Sequence, residues 1–371
     1  MKVLHIYKDY YPVFGGIENH VRTLAEAQAA RGHEVTVLVT DPGRATRREV
    51  MKGVGVIKAG RLATVASTPL SLALPWELRR QTPDIAHLHF PYPVGEAAQW
   101  LLGRARRTVI TYHSDVVRQQ AILRFYAPIL RRVLRAADRI IVTSPAYLQS
   151  SPFLPPVRER CRIIPLGIDL GRFQQADPAR ATALRQSLGS PLLLFVGKLR
   201  YYKGLHYLLP ALKDLPGVQL AVVGSGPMEG EWRSLASELG LLERVHFLGE
   251  VSDAELPAHY QAADLFVLPA CERSEAYGLV QVEAMASGLP VISTELGTGT
   301  SFVNQHGQTG LVVPPREPAA LAAACRVLLA DPERRRRLGE QARVRALAEF
   351  GVERMVDGVE AVYRQALAKS I

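Results

Sequence analysis

Five short apolar runs punctuate the first half of the chain: VLHIY (3–7), EVTVLVT (34–40), DIAHLHF (84–90), TVITYH (108–113) and RIIVTS (139–144). Each has the length of a strand buried on both faces, and amphipathic helical stretches separate them. The first helix, expected roughly over Ile17–Arg31, follows a Gly-Gly turn and stops at Gly32. The second half repeats the rhythm with LLLFVG (192–197), VQLAVVG (218–224), VHFLG (245–249), LFVLP (265–269), PVIST (290–294) and GLVVP (310–314). Strands alternating with helices predict two doubly wound parallel-sheet α/β domains. Such folds place their ligand-facing loops at the carboxyl ends of the strands. The junction is expected within IIPLGIDLGRF (163–173), giving domains at 1–170 and 171–348. An amphipathic helix over 349–371 remains, able to pack on either domain or back on the first.

Length agrees with that division, since 371 residues exceed one ordinary core. No apolar run is long enough to span a bilayer, and the first stretch is broken by Lys8 and Asp9. It reads as a strand and not a signal peptide. Three scattered cysteines without a CxxC spacing fit a reducing cytoplasm and give neither a disulfide framework nor a zinc site. The net charge of +10 is uneven. Residues 1–170 carry 24 Lys and Arg against 13 Asp and Glu, whereas residues 171–371 carry 21 against 22. The excess points the first half toward an anionic surface or substrate. Nucleic acid is not supported, because aromatic–basic interleaving and known modules are missing.

Chemistry concentrates where strands end. Gly15 and Gly16 separate the first strand from the first helix, a place where a phosphate can approach backbone N–H groups, or merely a tight turn. Lys198 and Lys203, five residues apart after LLLFVG, suit a diphosphate or simply solvent. His113 closes TVITYH. AVVGSGPMEG (221–230) has the wrong glycine spacing for a dinucleotide fingerprint, so NAD is rejected. SEAYGLVQVEAMASGLPVIS (274–293) sets Glu275 before a helix start and Glu283 one and a half turns inside. A carboxylate on so apolar a helix needs a partner, and a ribose diol would serve.

The E-x7-E segment with EAMASGLPVIST, together with GGIENHV, TYHSD, IPLGID, VGKLRYYKGL and GLVVPPREPAALA, follows the order found in one family. Along essentially the whole chain the sequence resembles the family 4 retaining nucleotide-sugar glycosyltransferases. The resemblance implies the GT-B architecture: two facing Rossmann-like domains, with an interdomain cleft, donor in the second and acceptor in the first. It implies that Glu283 binds the donor ribose and that Glu275 contacts the transferred sugar with backbone groups of Ala276, Tyr277 and Gly278. The amides of Leu279 and Val280 would lie near the diphosphate, Lys198 and Lys203 would hold the phosphates, and Val251 would meet the base. Gly16, with Gly15, would approach the phosphates from the other domain and His113 would lie beside the sugar, so that Glu275, Lys203 and His113 form the expected catalytic set. Lys198 stands where the family mostly has Arg, and Tyr277 replaces a commoner Phe, adding a hydroxyl for the sugar or for water.

The implied reaction is hexosyl transfer with retention, from a GDP-mannose-like or UDP-sugar to a glycan or lipid-linked acceptor in cell-surface polysaccharide or glycolipid synthesis. No metal and no cofactor are expected, since D-x-D is absent and the lysines supply charge. A nucleotide-sugar 2-epimerase and a non-enzymatic nucleotide-sugar-binding protein are the alternatives. Over 118–138, Arg124, Arg131, Arg132 and Arg135 fall on one side of a helix. Ile122, Phe125, Tyr126, Ile129, Leu130 and Val133 fall on the other. That pattern fits a surface helix on the core, or a peripheral contact with the inner face of the cell membrane.

Overall fold

The computed structural model describes residues 1–13, 15–66, 68–116, 120–175 and 177–368, the side chains of 120–122 excepted. The chain divides into two compact units, Met1–Gly167 with the terminal helix Val352–Ala368, and Ile168–Gly351. The changes of unit fall at 167/168 and 351/352, against the expected 170/171 and 348/349.

The first unit holds β1 (Lys2–Ile6), β2 (Glu34–Asp41), β3 (Arg47–Met51), β4 (Val54–Gly60), the small hairpin β5 (Ala63–Val65) and β6 (Thr68–Leu70), then β7 (Ile85–Phe90), β8 (Arg107–Tyr112), β9 (Arg139–Val142) and β10 (Cys161–Ile163). Its eight-stranded sheet runs β10-β9-β8-β7-β1-β2-β4-β3. All neighbours are parallel except the edge strand β3, which turns back on β4. This hairpin was not anticipated, because the glycines of MKGVGVIKAG interrupt its apolar pattern and β3 itself is mostly exposed. Helices Gly16–Ala30 and Val352–Ala368 help cover one face. There Val3, Ile85, Val109 and Ile141 meet Leu24, Met355, Val359 and Tyr363.

The second unit holds β11 (Leu192–Val196), β12 (Gln219–Val223), β13 (Val245–Gly249), β14 (Leu265–Leu268), β15 (Val291–Thr294) and β16 (Gly310–Val313), all at the expected runs. The order β13-β12-β11-β14-β15-β16 reverses direction between β11 and β14, and every pairing is parallel. Loops leaving β11 and β14 diverge there at their carboxyl ends, the point where an open α/β sheet receives its ligand. In the first unit the equivalent reversal lies between β1 and β7.

Candidate active site

The two loops at the second unit's reversal carry the predicted residues. The chain leaves β11 through Gly197 and Lys198, makes a tight 3-10 turn at Tyr201–Lys203, and enters helix Leu205–Lys213. Gly204 caps that helix at φ +73°, and a Cβ there would fall 2.0 Å from the carbonyl oxygen of Pro269, just past β14. Only glycine lets the two loops pass this closely. Lys203 is thereby carried into the interior, where its Nζ lies 2.6 Å from Oε2 of Glu275 on the loop after β14. The side chains are 10 % and 9 % exposed, so the pair is largely desolvated. Burial pulls the Lys203 ammonium pKa down, but Glu275 and its neighbours more than offset this and hold it above the usual lysine value. Lys198 stays exposed, with no ion-pair partner among the described residues.

The Glu275 loop is clamped from behind. The Thr298 hydroxyl donates to the Glu275 carbonyl at 2.9 Å, and the Gly299 N–H donates to the Ala276 carbonyl at 2.7 Å. Gly278, at φ +75°, opens helix Leu279–Ala286, and the first-turn amides of Leu279 and Val280 have no intrahelical acceptor. Glu283 lies one turn further along. The Tyr260 hydroxyl donates to its Oε2 at 2.8 Å, and the Arg172 guanidinium stands 3.7 Å from Oε1. Burial raises the Glu283 carboxyl pKa against the pull of these two neighbours. The partner that such an acid requires is therefore supplied partly from within the chain. Val251 is half-buried on the loop after the edge strand β13, at the same end of the sheet.

Of the two roles expected for the Tyr277 hydroxyl, the structure excludes the contact with water. Its side chain is 4 % exposed and its ring meets Phe350 edge-on, so the hydroxyl is buried and does not reach water. Gly226 has a packing reason to be glycine, since a Cβ would fall 2.5 Å from the Leu199 carbonyl oxygen.

The first unit gathers the remaining candidates. Gly15 takes an extended φ of −173° as N-cap of helix Gly16–Ala30, and a Cβ on Gly16 would meet nothing within 4 Å. Intrachain packing does not demand glycine at 16. His113 is buried at the end of β8, and it is not alone. The period of two along paired strands stacks Val3, His5 and Tyr7 beside Ile85, His87 and His89, then Val109, Thr111 and His113. The first position named on each strand (Val3, Ile85, Val109) is apolar core, and the later ones are the histidines with Tyr7 and Thr111 among them. His20, on the helix opening at Gly16, sets its ring 4.9 Å from that of His113. Five buried imidazoles thus form one cluster. Desolvation lowers all their pKa values, His5 to about 4 and His20 to about 3. Reading DIAHLHF only as a buried strand missed this, although two histidines on one strand face were visible there.

On the amphipathic helix Gln120–Ala136, Leu130 and Val133 are buried and Arg124, Arg131, Arg132 and Arg135 are exposed. Phe125, assigned to the apolar side, is 85 % exposed and does not pack on the core. The Ile122 side chain lies outside the described residues. No described helix is long and apolar enough to cross a membrane.

Two α/β units, each with a largely parallel sheet of this topology, are the architecture of the GT-B glycosyltransferases. A sucrose-phosphate synthase from Thermosynechococcus elongatus superposes with a TM-score of 0.80 at 27% identity, over 100% of both chains. Residues 181–345 match the family described as Glycosyl transferases group 1, and residues 14–172 match Glycosyltransferase Family 4. The chain is 40% identical to the D-rhamnosyltransferase WbpZ of Pseudomonas aeruginosa, over 93% of this chain and 91% of the relative. It is 36% identical to the O-antigen chain mannosyltransferase C of Escherichia coli, over 98% of each. The chain belongs to glycosyltransferase family 4 and is a glycosyltransferase.

Proposed function

We propose that the protein moves a hexosyl group, of mannose type, from a nucleoside diphosphate sugar to a glycan or lipid-linked acceptor during cell-surface polysaccharide synthesis, with retention of configuration. The buried Lys203–Glu275 pair at the sheet reversal carries this reading. The names of the rhamnosyl- and mannosyltransferase relatives support the class of sugar and acceptor.

In the donor complex Lys203, Lys198 and the Leu279–Val280 amides face the diphosphate, Glu275 faces the sugar hydroxyls, and Glu283 faces the ribose. The bond from the sugar's anomeric carbon to the phosphate oxygen breaks, and a bond to the acceptor oxygen forms on the same face. The acceptor's proton passes to the departing diphosphate. Two lysines and a helix start meet the negative charge as it develops, so this chemistry asks for no divalent ion. The exposed arginines and Phe125 of helix Gln120–Ala136 suit the surface of an anionic membrane, where lipid-linked acceptors reside.

Thermal-shift titration with GDP-mannose, UDP-glucose and an ADP-sugar tests the reading, because a matched donor stabilises the fold by mass action. One donor class should raise the melting temperature, and transfer from it should persist in excess EDTA. No shift with any of them, or turnover abolished by EDTA and restored by a divalent ion, contradicts it.

A further inference from the structure

The two carboxyl oxygens of Glu283 sit in unequal settings, and every group that shapes them belongs to the second unit. Oε2 accepts from the Tyr260 hydroxyl at 2.8 Å. Oε1 accepts no hydrogen bond among the described residues and has the Arg172 guanidinium beside it at 3.7 Å. The Tyr260 hydroxyl also lies 3.3 Å from the Val280 carbonyl oxygen, but it has one proton to give, and an ionised carboxylate at the shorter distance is the stronger acceptor. That tyrosine has no room to turn. It is fully buried on helix Leu256–Ala262, with Phe173 edge-on at 5.7 Å and Phe266 tilted at 5.8 Å against its ring. Arg172, on the short helix Gly171–Gln174, lies over the Phe173 ring at 4.5 Å and reaches Asp253 on the loop after β13 at 3.4 Å.

A vicinal diol donates two hydrogen bonds, and the acceptor that meets both must be ionised and held in one plane. Neither condition comes free to Glu283. The last torsion of a glutamate is broad, so the carboxylate plane turns unless something pins it. Burial opposes its ionised form, and Asp253 adds to that, while Tyr260, Arg172 and Lys203 act against them. We propose that Tyr260 and Arg172 are positioning residues, which pin the Glu283 carboxylate in one plane with Oε1 open, so that it reads both hydroxyls of the donor ribose and selects ribonucleotide over 2′-deoxyribonucleotide donors. This rests on the donor reading above. The ribose is remote from the bond that breaks, so the loss of either residue falls on binding and not on the chemical step.

Calorimetry of the full chain with GDP, UDP and their 2′-deoxy counterparts reads this contact without turnover. The native protein should hold its preferred ribonucleotide roughly ten- to a hundredfold more tightly than the 2′-deoxy form, the worth of a hydrogen bond to a charged group. Tyr260→Phe keeps the ring and should cut that preference to about threefold or less. Arg172→Gln changes a half-exposed side chain and should weaken the preference in the same direction, with Arg172→Lys restoring part of it. In both Tyr260→Phe and Arg172→Gln the donor KM should rise, while turnover at saturating donor falls less than threefold. Carbon-13 NMR, with Glu283→Gln for assignment, should show the Glu283 carboxyl titrating above the usual glutamate range, and higher still in Arg172→Gln. Ribonucleotide affinity in that variant should then begin to fall at a higher pH on acidification. A full ribose preference in both variants would overturn the proposal, as would a loss confined to turnover or a Glu283 titration that Arg172→Gln leaves in place. Failure of the donor reading looks different: the native protein then binds neither GDP nor UDP, whereas failure of the proposal leaves ribonucleotide binding and its preference intact in both variants.

Discussion

A single ion pair illustrates how little freedom the site leaves its residues. Lys203 and Glu275 lie 72 positions apart, and in their buried setting each supplies the other's countercharge. The chain passage that joins them depends on Gly204, whose positive φ and contact with Pro269 exclude any side chain. Gly204→Ala should therefore cost about 3 kcal/mol from left-handed strain plus the clash, read as a lowered urea midpoint. An unchanged midpoint would show that the loop relaxes freely. The glutamates and lysines were legible as residues because their spacing falls at strand ends. Their partners were not. Arg172 and Tyr260 reach Glu283 from elsewhere in the chain, and no local pattern announces such contacts. The histidine cluster was half-legible: His113 stood out at a strand end and the alternation in DIAHLHF was visible, but nothing in the sequence joined them to His5 and His20.

Among elements, the parallel strands were the easiest to read, because burial on both faces leaves continuous apolar runs such as LLLFV and LFVL. Exposed elements were the hardest. Strand β3 and the short β5–β6 ribbon are mostly exposed and offer little pattern, while the buried apolar positions of β4 are broken up by glycines and Lys58. The helix Gln120–Ala136 shows the same limit in reverse. Its amphipathic repeat is plain, yet Phe125 projects into solvent while Leu130 and Val133 face the core. Phe125→Asp should therefore leave the fold intact and reduce flotation with anionic vesicles severalfold, with transfer to a soluble acceptor preserved. Equal flotation of native protein with neutral and anionic vesicles would remove the membrane surface from the account.

At the scale of the whole molecule, the first unit holds both the positive excess and the five buried imidazoles. Their native pKa values lie below the ordinary 6.5, so on acidification the unfolded chain takes up protons that the native state refuses. Stability is complete above pH 6.5 and is lost as pH falls toward 4. Buried Glu96 acts the other way: burial raises its pKa from 4.5 to about 7, so the native state gains on acidification across that window. The Glu283 carboxyl, also raised by burial, acts in the same direction as Glu96, but two carboxyls do not outweigh five histidines, and the urea midpoint should drop between pH 6.5 and 5, more steeply in Glu96→Gln. A midpoint rising over that range would contradict this balance. The central claim, that the reversal of the second sheet is a nucleotide-sugar site whose two buried charges divide the labour, is tested most directly by calorimetry and turnover on Lys203→Met and Glu275→Gln. Lys203→Met should lose at least tenfold in affinity for the nucleoside diphosphate. Glu275→Gln should bind it within about threefold of native yet lose roughly a hundredfold in transfer rate. Native affinity in the lysine variant, or a Glu275→Gln turnover within threefold of native, would contradict the account.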